Sequence, residues 1–86
     1  MTFTVIWKPS AADALANAWL NSACRSEVAT AADDIDALLR VRPLDVGVSA
    51  MLNSRILVRL PLAVVYDVRL EDRLVQILLV EVVPGE

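Results

Sequence analysis

Apolar and polar residues alternate with a period of two near both ends of this chain and with a period near 3.6 between them. Thr2 to Trp7, TFTVIW, sets Phe3, Val5 and Trp7 against Thr2, Thr4 and Ile6, which predicts a strand with one buried face. Lys8-Pro9 ends it. Ser10 is a candidate N-cap for a helix from Ala11 to about Asn21, with Leu15 and Trp19, aided by Ala11, Ala12 and Ala18, as its packing stripe. Asn21 to Ser26 is a polar break. Ser22 or Ser26 then caps a second helix reaching about Val41, whose apolar face is Val28, Ala31, Ala32, Ile35, Leu38 and Leu39. Arg40 and Arg42 suit the negative end of its dipole, and Pro43 forbids continuation. So short a link predicts an antiparallel hairpin.

Leu44 to Asn53 lacks clear periodicity; Gly47 permits a turn there, and Met51-Leu52 is a candidate start for the next strand. From Ser54 the alternation returns. Ser54 to Leu60, Ala63 to Leu70 and Arg73 to Val83 read as three strands, interrupted at Pro61-Leu62 and Glu71-Asp72, and links that short join antiparallel neighbours. In the first, Arg55, Leu57 and Arg59 share one face and Ile56, Val58 and Leu60 the other. The all-apolar face is the one expected beneath the helices, which leaves a basic face outside. The last strand is apolar on both faces, so it is central or covered by another chain; it becomes central if Phe3 to Trp7 joins the sheet beyond it. The fold class is α+β: an N-terminal strand, an antiparallel two-helix hairpin and a three-stranded antiparallel meander, with the helices on one sheet face. Residues 1–86 form a single domain.

Composition narrows the chemistry. The chain is 57% hydrophobic over 86 residues, more apolar surface than one small core hides, which favours a partner or a homodimer. With no histidine, a histidine general base is excluded and a zinc site is not expected; a single cysteine, Cys24, forms no internal disulfide. No cofactor is implied. No run approaches the roughly 18 apolar residues of a membrane span, and the expected location is the cytoplasm, with no membrane partner. The net charge of −3 is uneven: residues 1–39 carry two bases and five acids, 40–60 four bases and one acid, and 61–86 two bases and five acids. The middle block alone suits phosphate.

Strand, helix hairpin and meander, with the signature Arg55-x-x-x-Arg59, Pro61-Leu62-Ala63-Val64-Val65-Tyr66-Asp67-Val68 and Asp72-Arg73-Leu74-Val75-Gln76-Ile77-Leu78, resemble the RelE/ParE superfamily of type II toxin–antitoxin toxins, also called plasmid-stabilisation proteins. The opening VIWKPSAADALANAWL is similar too, and the resemblance spans Thr2 to Val83. It implies one of two actions: an endoribonuclease of the mRNA-interferase kind working on the ribosome, or inhibition of DNA gyrase. Either would be neutralised by a cognate antitoxin wrapped over apolar surface. A third reading is a catalytically degenerate relative that serves as a dimerising or regulatory interaction module.

Carried over residue by residue, the resemblance makes Arg59 and Arg55 the candidate catalytic pair, stabilising a transition-state phosphate. Arg55, Arg59 and Arg42 are the candidate contacts to nucleic acid or another target. The arginine that nuclease members place before the second meander strand is replaced by Ala63, their loop glutamate has no counterpart, and their C-terminal residues would lie beyond where this chain stops. Tyr66 is a catalytic acid or a core residue. Asp33, Asp34 and Asp36 read as a solvated helix face rather than a metal cluster, because consecutive helical residues diverge by about 100°. Trp7 and Trp19 read as core or interface anchors, and Cys24 as an incidental surface thiol.

Overall fold

Val5 and Trp7 turn inward from strand β1 (Thr4–Trp7) while Thr4 and Ile6 face out, the two-residue period of the sequence realised. The computed structural model describes residues 2–50 and 53–83. Pro9 opens helix α1 (Pro9–Asn21), where its missing N–H costs nothing and its fixed φ fits the first turn. Lys8 therefore takes the cap position and Ser10 lies inside the helix. After the break at Ser22 to Cys24, helix α2 (Arg25–Val41) follows with Cys24 at its cap, and Ser22 Oγ accepts the Cys24 amide at 2.9 Å.

β2 (Val48–Ser49), β3 (Ser54–Arg59), β4 (Leu62–Arg69) and β5 (Leu74–Val82) complete a five-stranded mixed sheet of order β1-β5-β4-β3-β2. β1 runs parallel to β5 and the other pairs are antiparallel. β5 is an interior strand, flanked by β1 and β4, the first of the two readings its two-sided apolar sequence left open. β2 had no signal in the sequence because two residues are too few to show alternation. The strand start expected at Met51-Leu52 lies outside the described residues.

The core lies between the helices and one sheet face. Ala11, Val28, Ala31, Ile35 and Leu39 come from above, and Leu57, Leu62, Val64, Tyr66, Val75, Ile77 and Val80 from below. Ile35 and Leu39 are fully buried, each contributing about 2–3 kcal/mol of transfer free energy. In β5 the inward set passes from Val75 and Ile77 to Val80. Tyr66 pairs with Ile77 but Val65 pairs with Leu79, so Leu78 is the extra residue of a bulge that changes which positions face inward.

The helices cover the opposite face of β3 from the one expected. Leu57 is 6% exposed in the core, while Val58 and Leu60 are 51% and 69% exposed. The register gives the reason: Leu57 pairs with Val64, and Val64 and Tyr66 are the residues of β4 that point at α2. Arg55 and Arg59 share that side. On β3 the open face is consequently the one with Ile56 and Val58.

Candidate functional site

Arg55 and Tyr66 meet at the helix-side end of β3 and β4, where they are register partners. The Tyr66 hydroxyl is 2.8 Å from Pro43 O and 2.9 Å from Val46 O, so its single proton is shared between two carbonyls of the segment after α2. The Arg55 guanidinium donates to Gly47 O at 3.2 Å, Val46 O at 3.4 Å and Ser49 Oγ at 3.4 Å. Its Nε is buried with no partner among the described residues. Gly47 closes the arrangement at φ +73°, with an added Cβ only 2.5 Å from Ile56 O and 2.9 Å from the Tyr66 hydroxyl. Burial pushes the Tyr66 hydroxyl above its ordinary value of 10.0, and the nearby Arg55 opposes that shift in part. This clasp holds the 43–49 segment against the sheet. The hydroxyl and the guanidinium are committed to backbone carbonyls.

Arg59 lies four residues further along β3, with Nη2 at 3.5 Å from Asp34 Oδ2 of α2. Both side chains are about half exposed, so the pair contributes on the order of 0–1 kcal/mol. It borders an open cleft of about 650 Å³ with Ser26, Glu27, Thr30, Pro61 and Val83. Arg42 has a separate partner: its Nε faces Asp45 at 3.9 Å. The three candidate arginines thus do not converge on a common point, and each faces a carboxylate or a set of carbonyls. Asp34 and Asp36 of α2 also have separate partners. Asp36 accepts from Arg40 Nε at 2.7 Å and from the Trp7 indole at 3.4 Å, whereas Asp34 serves Arg59.

A second surface was only partly visible in the sequence. Trp7, Leu15, Trp19, Leu20, Val28 and Ala32 line an apolar groove of about 620 Å³ between α1 and α2, edged by Asp33. Trp19 is 41% exposed, and the Arg25 guanidinium lies 5.0 Å from its ring centre, a cation–π contact. Leu20, next to Trp19 but outside the packing stripe of α1, was the signal, since two large apolar residues adjacent on a helix cannot both face one core. Cys24 is exposed and free.

No family model matches the sequence, and no curated protein matches it. Solved structures do match the fold. A chain of the RelBE2 toxin–antitoxin complex from Mycobacterium tuberculosis superposes with a TM-score of 0.76 at 22% identity, over 95% of this chain and 92% of that one. A chain of the chromosomal ParDE toxin–antitoxin system from P. aeruginosa gives 0.70 at 20% identity, over 95% and 97%. The α+β architecture described above is therefore that of the RelE/ParE-like toxins.

Proposed function

We propose that this chain is the toxin-like subunit of a type II toxin–antitoxin pair, and that it acts on its cellular target by protein contact, as a gyrase inhibitor would, rather than by cutting RNA. The observation that supports this reading most is the placement of charge. Phosphoryl transfer needs donors aimed at a point where charge develops. Among the described residues Arg55 donates to carbonyls, Arg59 faces Asp34 across a half-exposed pair, and the open face of β3 carries the apolar side chains Ile56 and Val58. An RNA backbone meets no concentration of free cations there.

The antitoxin segment is assigned to the groove between α1 and α2. That groove is apolar, edged by an acid and anchored by an exposed tryptophan, features that suit an amphipathic segment carrying a basic flank. The test is co-purification with the product of whatever short reading frame neighbours this one, comparing the parent chain with Trp19→Ser/Leu20→Ser. Both substituted side chains are exposed, so the fold should persist, as circular dichroism would check. Loss of the complex supports the groove; an unchanged complex removes it as the antitoxin site.

A second reading, a non-toxic interaction module, is favoured by the same lack of convergent charge. It differs in one outcome: the folded chain, expressed alone and abundantly, leaves growth unimpaired.

A further inference from the structure

The groove between α1 and α2 carries unlike charges along its length. Arg25, the first residue of α2, stands at the Trp19 end, its guanidinium 5.0 Å from the ring centre and its Nη2 donating to Leu20 O at 3.3 Å. One such bond leaves most of the five guanidinium donors free for another partner. Asp33 lines the same groove eight residues further along α2, about 12 Å up the helix. It is exposed, and among the described residues it has neither an ion pair nor a side-chain hydrogen bond.

The remaining charges of the two helices keep this order. Asp13, the one charged residue of α1, is exposed and lies away from the Arg25 end, so it adds to the acidic end. Asp34 faces Arg59, Asp36 accepts from Arg40 and Trp7, and Glu27 lines the separate cleft beside Arg59. Lys8, at the cap of α1, has the strand parity of Thr4 and Ile6, which face away from the helices.

We propose that the groove takes its occupant as an α-helix lying parallel to α2, with an acidic residue at Arg25 and a basic residue seven positions later at Asp33. This rests on the assignment of the groove to the antitoxin segment, and adds the conformation, charge order and direction of that segment. The walls are themselves helices, whose amides and carbonyls bond internally, so an extended chain lying there would find no backbone partners. Seven residues of helix rise about 10.5 Å and return to within about 20° of the starting face, which matches the spacing of Arg25 and Asp33. Apolar residues at the third and fourth positions after the acid then point into the groove. Acid before base also agrees with the dipole of the docked helix itself, so the parallel direction joins matched charges to the more stable helix.

The probe is a synthetic Ala-rich peptide of about 18 residues, long enough for a helix, with Glu, Leu-Leu and Lys at that spacing, no tryptophan and a nitroxide on its N-terminus. Amide spectra of the full chain at low salt read where the nitroxide lies. The expected result is broadening at residues 22–28 and not at 32–36 in the parent, with the pattern reversed in Arg25→Glu/Asp33→Lys. Replacing the peptide's Glu or Lys by Gln should each weaken binding about two- to fivefold, an effect that fades with salt. If the double variant does not fold by circular dichroism, Asp33→Lys alone is expected to remove the preference for one end. Equal broadening of both ends in the parent, or of the same end in parent and double variant, overturns the direction and leaves the groove to the co-purification test. No binding at about 1 mM peptide overturns it too. Loss of the antitoxin complex in Trp19→Ser/Leu20→Ser would then keep the groove without the helix.

Discussion

On one side of β3, Leu57 lies beneath α2 beside Val64 and Tyr66; on the other, Val58 and Leu60 stand with half or more of their surface exposed. Within β3 the open face holds Ile56 and Val58, yet the covered one takes in both arginines of the strand. The difference is that the covered face has uses for its polar atoms. Arg55 and Tyr66 there find the carbonyls of the 43–49 segment, and Arg59 finds Asp34. Burial of a polar group is tolerable when its bonds are made, and a guanidinium stem also packs as hydrocarbon. Hydrophobicity alone does not decide which face a helix pair covers.

The contrast is broken most strongly in the core. Ile77→Ala is expected to cost about 3–4 kcal/mol by urea unfolding, whereas Leu79→Ala, two residues along on the open face, should cost under about 1 kcal/mol. Equal losses would mean that the open face is covered in the isolated chain. Next is the clasp: Gly47→Ala forces a side chain into positive φ and onto Ile56 O, and a thermal melt should show a loss of about 2 kcal/mol.

Tyr66→Phe removes the shared hydroxyl at about 1–2 kcal/mol. Its pH signature has a definite sign. The folded state holds the phenol proton more tightly than the unfolded chain, so this contribution is complete below pH 10 and is lost as pH rises through the raised folded value. Parent and Tyr66→Phe stabilities should therefore converge in part as alkaline pH rises, and a constant gap would contradict the burial-driven shift. The smallest effect is expected for Arg59→Ala, under about 1 kcal/mol, because its ion pair is half exposed.

Much of this fold was legible in the sequence. The period change from two to 3.6 located β1 and both helices, and Pro61 and Asp72 marked the turns of the meander. The apolar character of β5 on both faces placed it centrally. What could not be read was the choice of face on β3, since Arg55-x-x-x-Arg59 looks solvent-facing until the segment with which Arg55 bonds and the aspartate with which Arg59 pairs are in place. The bulge at Leu78 was hidden because a run of aliphatic residues conceals a change of parity. For the candidate site, sequence spacing put Arg55 and Arg59 on one face correctly, but it carried no information on what that face touches. Arg42 belonged to neither.

The measurement closest to the central claim is transcript-end mapping in a bacterial host after controlled induction of the chain alone, beside Arg59→Ala at matched soluble level. Growth arrest with intact transcripts, undiminished in Arg59→Ala, is the expected result. New transcript ends that appear with the parent and vanish with Arg59→Ala would contradict action by protein contact and restore the arginine as a catalytic group.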